Sequence, residues 1–299
     1  MNQQTTLREI IHRPEFAGFG ERLFPLDLRL SGNVTLQELS ASLPWYSHVQ
    51  SVRTVSVLED LSRRAQAGQQ IFYEIYSPKE QVREPAKART GLFFFAGKPG
   101  APTAIVNAGG GFQYVAAIHD SFPHAQVLSQ AGYNAFALIY RPGARTARED
   151  LARAIAFLHE HAEDLGIDMT GYSLWGGSAG ARMAAWLGNA GPAAFGEKNY
   201  PRASTVIMQY TGLSEVTGHE PATFATVGTR DWIADYGTME RRIEQIRRQG
   251  TPAEIRIYPG LPHGFGLGEG TRAEGWIEEA MQFWQEQVDK QKEKRTGYV

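Results

Sequence analysis

The sequence predicts an α/β fold: a single domain built on a mostly parallel, eight-stranded sheet with helices on both faces. Three observations support this class. From residue 103 onward, short apolar runs alternate with helical patterns, which is typical of parallel strands joined by crossover helices. An early pair of strand-like runs, joined by a polar segment, predicts an antiparallel edge. Finally, 299 residues with 42% apolar and 21% charged residues are enough for one domain with a full core.

The first 70 residues are expected to form an N-terminal extension packed against the main domain, which spans 71–299. Residues 1–50 carry proline and glycine at irregular spacing and predict no regular elements. Residues 55–67 have helical character and end before Gly68. For the role of the extension, a lid over a site and a contact in a homodimer both remain open.

Eight strands are expected. The first two, at 71–76 and 91–96, flank a polar segment that we expect to be a long hairpin loop. The other six strands are expected at 103–107, 133–140, 172–175, 204–210, 223–228 and 253–258. Helices are expected at 123–130, 148–163, 181–187, 239–248 and 272–289.

Composition excludes several classes of partner and chemistry. The net charge of −2 gives no reason to expect nucleic acid or an anionic membrane as a partner. Because the chain has no cysteine, disulfides, thiolate catalysis and cysteine-ligated metals are excluded. Residues 1–11 are polar and no stretch approaches the length of a membrane span, so we expect a cytoplasmic protein.

The sequence from Gly176 to Gly180, Gly-Gly-Ser-Ala-Gly, predicts an activated serine. It has the pattern G-x-S-x-G between a strand-like run and a helix of small residues. In that context the turn is so tight that only glycine fits beside it, and Ser178 projects outward. The N-terminus of the following helix favours negative charge at the same point. Ser178 is therefore the candidate nucleophile.

A serine hydroxyl needs a base within hydrogen-bonding distance, and the base needs a carboxylate that orients it. Asp231 follows the strand predicted to end at Gly228, so it lies at the carboxyl edge of the sheet. The alternatives to Asp231 as this acid are Asp235, Glu220 and Glu215.

His263 is the candidate base. It lies just beyond the last predicted strand, in Pro259-Gly260-Leu261-Pro262-His263-Gly264, where glycine and proline shape a tight loop. Of the other seven histidines, five lie before the sheet, in the helix at 148–163 or ahead of the acid: His12, His48, His159, His161 and His219. His119 and His124 follow the glycines at 109–111 and stay open as residues that line the pocket.

A glycine-rich loop, Gly109-Gly110-Gly111, directly follows the strand at 103–107. Its backbone N–H groups, with that of Ala179 after the serine, are candidates to stabilise negative charge on a reacting oxygen. A phosphate-binding loop is disfavoured because no Gly-Lys-Ser/Thr follows, and the dinucleotide fingerprint fails at Tyr114.

In these four ordered elements the chain resembles the α/β-hydrolase superfamily, and more narrowly its small esterases and lipases, such as carbohydrate acetyl-esterase-like and hormone-sensitive-lipase-like enzymes. The resemblance covers about 70–290. It implies Ser178 as nucleophile, His263 as base and Asp231 as orienting acid. It also implies oxyanion donors at Gly109, Gly110 and Ala179, with the choice among the three glycines open.

The chain departs from this family pattern in two places. Ala108 replaces the histidine that precedes the glycines, so that His119 or Asn107 is expected to support the loop instead. Only a short segment separates the strands at 204–210 and 223–228, which leaves no room for a helical cap. We therefore expect a modest pocket suited to short acyl groups.

The resemblance and the residues together predict a serine hydrolase of small carboxylic esters, acetyl esters above all, with no metal and no cofactor. An amidase, a peptidase or a thioesterase would use the same three residues. A binding protein that has kept the fold without catalysis is the alternative from another class.

Overall fold

The centre of the molecule is an eight-stranded sheet. The computed structural model describes residues 1–296. The strands are β1 (Phe72–Tyr73), β2 (Gly91–Phe95), β3 (Pro102–Asn107), β4 (Asn134–Ile139), β5 (Asp168–Gly177), β6 (Thr205–Gln209), β7 (Ala222–Gly228) and β8 (Ala253–Tyr258). Strands β2, β4, β6 and β7 are buried along their whole length, as apolar strands covered on both faces must be.

The strands follow the order β1-β2-β4-β3-β5-β6-β7-β8 across the sheet. Strand β2 pairs antiparallel with both β1 and β4, and all other pairs are parallel. The predicted sheet, with its antiparallel edge, is confirmed. Because β3, β5, β7 and β8 all end at one edge, the loops that follow them meet there.

Eleven α-helices surround the sheet in residues 1–296. They are α1 (Leu7–Ile11), α2 (Leu36–Ser42), α3 (Ser51–Gln66), α4 (Pro78–Arg83), α5 (Ala117–Asp120), α6 (Phe122–Gln130), α7 (Ala144–Glu160), α8 (Ala162–Leu165), α9 (Ala179–Ala190), α10 (Tyr236–Arg248) and α11 (Trp276–Thr296). None of them is both long enough and apolar enough to cross a membrane.

Successive residues of β5 show that both faces of the sheet are covered. The ring of Trp175 lies 6.3 Å from that of Trp276 at the start of α11. Leu174 points to the opposite face. It pairs with Val206, which lies against Gly188 of α9. Helices α9 and α11 therefore pack on opposite faces, as the predicted architecture requires.

The N-terminal region is more regular than predicted. Residues 1–50 contain α1 and α2, and the expected hairpin loop at 77–90 contains α4. Each helix begins at a capping box, in which a serine or threonine and a glutamate three residues later satisfy each other's backbone N–H groups. The sequence carries this signal at Thr6, Thr35 and Ser77. Strand β1, by contrast, is only two residues long.

Candidate active site

Ser178 occupies a tight turn between β5 and α9. Its backbone has φ 52° and ψ −117°, a strained conformation for a residue with a side chain. The turn closes only because its flanking residues are glycines. A Cβ on Gly176 would lie 2.4 Å from the Gly180 backbone, and a Cβ on Gly180 would lie 2.0 Å from the carbonyl oxygen of Asn107. The turn has the strained geometry expected from the sequence.

Ser178, His263 and Asp231 form one hydrogen-bonded chain. The Ser178 hydroxyl donates to Nε2 of His263 at 3.1 Å. Nδ1–H of the same imidazole donates to Oδ2 of Asp231 at 2.7 Å. The side chains of His263 and Asp231 are 1% and 0% exposed, so little water competes for these bonds. The structure therefore brings the three predicted residues together.

The second carboxylate oxygen of Asp231 is also occupied. Its Oδ1 accepts the backbone N–H groups of Ile233 and Ala234 at 2.8 and 2.7 Å. These bonds fix the carboxylate relative to the turn after β7. Asp231 thus both caps a turn and holds the imidazole of His263.

The three alternative carboxylates lie elsewhere. Asp235 caps the N-terminus of α10, where it accepts a backbone N–H at 2.9 Å. Glu220 is buried and accepts two backbone N–H groups of its own loop. Glu215 is exposed. In the described chain, none of them is hydrogen-bonded to His263.

Polar contacts from distant segments fix the loop of residues 263–266. Ser47 donates its hydroxyl to the carbonyl of His263 at 2.7 Å. His119 donates Nε2–H to the carbonyl of Gly264 at 3.0 Å, and burial lowers the pKa of His119 to about 4, which keeps it neutral. Gln209 and Trp276 both donate to the carbonyl of Gly266. The base therefore projects from a rigid loop.

The glycine loop after β3 has one expected donor that is already engaged. The N–H of Gly109 donates to Oδ2 of Asp120 at 2.7 Å. It is therefore not free to donate to an oxyanion, contrary to the expectation from the sequence. Across residues 1–296, the N–H groups of Gly110, Gly111 and Ala179 make no hydrogen bond. These three remain available to a ligand, and both Gly110 and Gly111 line the pocket beside Ser178.

Asp120 is a site residue that the sequence analysis missed. It is 1% exposed and lies under the nucleophile turn, where a Cβ on Gly177 would be 2.5 Å from its carboxylate oxygens. Its Oδ2 accepts from Gly109 N–H and, at 2.9 Å, from the Tyr46 hydroxyl, while Oδ1 accepts from Tyr210. Burial raises the pKa of Asp120 to about 6, and these hydrogen bonds oppose that rise.

The support of the glycine loop also differs from the prediction. The amide of Asn107 donates to the carbonyl of Trp175, and His119 serves the loop of His263 instead. Asp120 holds the loop, together with the hydroxyl of Tyr140, which donates to the carbonyl of Ala108 at 2.6 Å. The sequence signal for this role of Asp120 was a single acidic residue within the mostly apolar stretch 115–122, because a buried carboxylate needs hydrogen-bond partners.

A pocket of about 260 Å³ opens above Ser178 and His263. Its walls are predominantly apolar, and they come from the glycine loop, the N-terminal extension and the turn after Asp231. The lining residues are Trp45, Tyr46, Gly110, Gly111, Gln113, Ser178, Trp232, Ile233 and His263. In the part of the chain that the structure describes, no group of three or more acidic or histidine side chains is arranged to hold a metal ion.

A comparison with protein-family models gives one match, which covers part of the sheet domain. The BD-FAE family model matches residues 96–225, which include the glycine loop and Ser178 but end before Asp231 and His263. A comparison with curated proteins finds no significant match.

Similar solved structures are hydrolases of the same architecture. An esterase from Thermogutta terrifontis with propionate bound is 22% identical, covering 66% of this chain and 89% of its own, with a TM-score of 0.58. An acetyl ester-xyloside bifunctional hydrolase from Caldicellulosiruptor lactoaceticus is 20% identical, covering 72% and 95%, with a TM-score of 0.62. The Thermogutta enzyme phosphorylated by paraoxon is 21% identical, covering 65% and 87%, with a TM-score of 0.57.

Both the sheet order and these structural matches agree with the fold that the sequence predicts. The chain has the α/β-hydrolase fold.

Proposed function

We propose that the protein is a serine hydrolase that cleaves small carboxylic esters through an acyl-enzyme. The observation that carries the proposal is the chain of hydrogen bonds from Ser178 through His263 to Asp231, at 3.1 and 2.7 Å. The distance of 3.1 Å between Ser178 Oγ and Nε2 of His263 allows proton transfer from the nucleophile to its base, and the distance of 2.7 Å allows Asp231 to orient that base. Similar structures are those of an esterase and of an acetyl ester-xyloside bifunctional hydrolase, which supports the same reaction class.

In the first half-reaction, Ser178 Oγ attacks the ester carbonyl carbon while Nε2 of His263 takes the hydroxyl proton. Asp231 stabilises the imidazolium that forms. The carbonyl oxygen becomes an oxyanion, which the free N–H groups of Ala179 and of Gly110 or Gly111 stabilise. The tetrahedral intermediate then collapses, and His263 returns the proton to the departing alcohol.

In the second half-reaction, water attacks the acyl group on Ser178. His263 takes a proton from this water and later returns it to Ser178 Oγ, while the carboxylic acid leaves. Every step uses side chains and backbone N–H groups of this chain. A small-molecule ester and water are therefore the two reactants of the proposed reaction.

The size of the pocket favours a short acyl group. Its volume of about 260 Å³ lies just below the range of about 300–1,000 Å³ typical of small-molecule sites. Residues 210–221, between β6 and β7, contain no helix, so they add no cap above the pocket. Acetyl and other short acyl esters are the substrates that we infer.

Hydrolysis of p-nitrophenyl esters, from acetate to long acyl chains, tests this function. We expect the native protein to prefer the short esters and Ser178→Ala to lose turnover. Ser214→Ala, which changes an exposed serine, is the matched control and should retain full activity. Faster turnover of long chains would contradict the short acyl pocket. Cleavage of amides or thioesters alone would reassign the leaving group, and no cleavage at all would favour a binding protein.

A further inference from the structure

A short segment of the N-terminal extension, residues 44–48, is built into the active site. We call it the strap. The backbone N–H of Ser47 donates to the carbonyl of Gly264 at 3.1 Å, and its hydroxyl donates to the carbonyl of His263 at 2.7 Å. On the other side, the Tyr114 hydroxyl donates to the carbonyl of Pro44 at 2.7 Å. The strap thus joins the loop of the base to the glycine loop.

The backbone of the strap, like the nucleophile turn, contains residues with positive φ. Trp45 and His48 have φ values of 69° and 57°, which residues with side chains rarely adopt. Within residues 1–296, five non-glycine residues have positive φ, and the other three are Phe112, Ser178 and Tyr210. All five lie in or beside the active site. Such strain persists where surrounding contacts fix it, and it concentrates at functional sites.

Tyr46 connects the strap to the glycine loop through Asp120. Its hydroxyl and the N–H of Gly109 both donate to Oδ2 of Asp120, at 2.9 and 2.7 Å. Tyr46 packs closely against this loop, because a Cβ on Gly109 would lie 2.5 Å from the Tyr46 oxygen and 2.8 Å from the Cβ of Ser178. Desolvation raises the pKa of Tyr46 far above its usual value, so the hydroxyl stays a donor.

We propose that Tyr46 and Asp120 are positioning residues for the oxyanion hole. The Asp120 carboxylate fixes the peptide plane of Gly109, and the next two N–H groups, of Gly110 and Gly111, are thereby aimed at the oxygen that becomes negative. The Tyr46 hydroxyl fixes the carboxylate in turn. This role rests on the ester hydrolysis proposed above, and it makes the strap a part of the reaction centre rather than a lid over it.

The expected signature is a loss confined to the transition state. An interaction made only with the developing oxyanion lowers kcat when it is lost and leaves KM unchanged. Direct removal of one oxyanion donor costs about 10²–10³-fold in kcat. Misaiming such donors should cost less, so we expect Tyr46→Phe to lower kcat by about 10- to 100-fold. The variant should bind a boronic acid, which mimics the tetrahedral intermediate, more weakly by the same factor.

The experiment compares Tyr46→Phe, Asp120→Asn and the double variant with the native full-length chain. Tyr133→Phe is the matched control, because it removes a tyrosine hydroxyl hydrogen-bonded to Gln285 at 3.1 Å. Tyr133 directly precedes β4, at the amino ends of the parallel strands, whereas the active site lies at their carboxyl ends. For each protein, circular dichroism checks folding, and kcat, KM and boronic acid affinity are measured with p-nitrophenyl acetate as substrate. Because the two residues act through one carboxylate, kcat of the double variant should be no lower than kcat of the less active single variant.

The outcomes separate this proposal from the proposed function. Native turnover with an unchanged kcat in folded Tyr46→Phe, or a change in KM alone, would overturn the positioning role and leave ester hydrolysis intact. Additive losses in the double variant would also overturn it, because the two residues would then act separately. Absence of turnover and of boronic acid binding in the native protein would overturn both.

Discussion

At the scale of single residues, the two oxygens of the Asp231 carboxylate have different partners. Oδ2 accepts from His263, and Oδ1 accepts two backbone N–H groups. An asparagine would keep the shape of this contact, but it would lose the charge that stabilises the imidazolium, and its NH₂ group facing Nδ1 would favour the wrong imidazole tautomer. We expect Asp231→Asn to lower kcat by about 10⁴-fold, the size of effect seen when the acid of such a triad is neutralised. Steady-state kinetics with p-nitrophenyl acetate measures it.

Asp235→Asn is the control for this change. Asparagine caps a helix about as well as aspartate does. Asp235 caps only the exposed start of α10, so the kcat of Asp235→Asn should match that of the native protein. Equal losses in both variants would show that the carboxylate beside His263 has no special role.

A second residue-scale prediction concerns His119 and pH. Burial lowers the pKa of His119 to about 4, below its ordinary value of 6.5, so the unfolded chain binds this proton more tightly. The stability that neutral His119 contributes is complete above about pH 6.5 and is lost as the pH falls towards 4. Between these pH values, the proton taken up by His119 on unfolding changes the free energy of unfolding by up to about 1.4 kcal/mol per pH unit.

His119→Gln removes this titration but keeps an N–H donor for the carbonyl of Gly264. Denaturant unfolding at pH 7, 6 and 5 should therefore show a flatter loss of stability in the variant than in the native protein. His124, whose pKa burial also lowers, is present in both proteins and cancels in the comparison. Identical slopes would mean that folding does not lower the pKa of His119.

The residue scale also shows where sequence reasoning reaches its limit. Ser178, Asp231 and His263 were predictable because each follows a strand in a recognisable local pattern and in a fixed order. Tyr46 and Asp120 were not, because their contact joins residues 74 positions apart and neither belongs to a local motif. The donor role expected of Gly109 failed for the same reason, since the carboxylate that engages it was not recognised.

At the scale of elements, the turn between β5 and α9 depends on a missing side chain. The Cβ of an alanine at position 180 would lie 2.0 Å from the carbonyl oxygen of Asn107, and backbone cannot move aside cheaply. We expect Gly180→Ala to destabilise the fold by about 3 kcal/mol or more and to abolish ester turnover. Denaturant unfolding and p-nitrophenyl acetate hydrolysis together measure the two effects.

Gly212→Ala is the matched control for the turn. A Cβ there has nothing closer than 3.9 Å, and the residue lies after β6 near the same sheet edge. Its stability should change by less than about 0.5 kcal/mol. A Gly180→Ala variant as stable and active as this control would contradict the close packing of α9 against β3.

The limits of element prediction were set by burial. Long strands and amphipathic helices of the main sheet were predictable, because their apolar residues follow the periods of buried strands and helices. The short helices α1, α2 and α4 bury few or no residues, so they leave almost no apolar pattern, and only their capping boxes marked them. Strand β1 is shorter than the predicted strand at 71–76, because only Phe72 and Tyr73 pair with β2.

At the scale of the whole molecule, the N-terminal extension shares the core of the sheet domain. Leu7, Ile10 and Phe16 are buried in one hydrophobic cluster with residues of the sheet. The rings of Phe19 and Phe72 stack at 5.1 Å across the boundary at residue 70. The extension should therefore unfold together with the sheet. A cytoplasmic location and a homodimer stay predictions from the sequence.

Phe16→Ala tests this shared core. Phe16 is fully buried, and its truncation should cost about 3–5 kcal/mol. Because the extension and the sheet share that core, calorimetry should show one transition at a lower Tm rather than a separate early transition of the extension. Val82→Ala, at an 82% exposed position, should leave the Tm nearly unchanged. Two separate transitions, with only one of them shifted, would contradict a single core.

The central claim is that Ser178 is the residue that carries the acyl group, and covalent trapping tests it most directly. The native protein is treated with paraoxon, and the modified peptide is identified by mass spectrometry alongside residual p-nitrophenyl acetate turnover. We predict a single phosphorylated residue, Ser178, with activity lost in proportion to its modification and no adduct in Ser178→Ala. Turnover that persists after complete modification of Ser178, or inactivation through a different residue, would contradict the account.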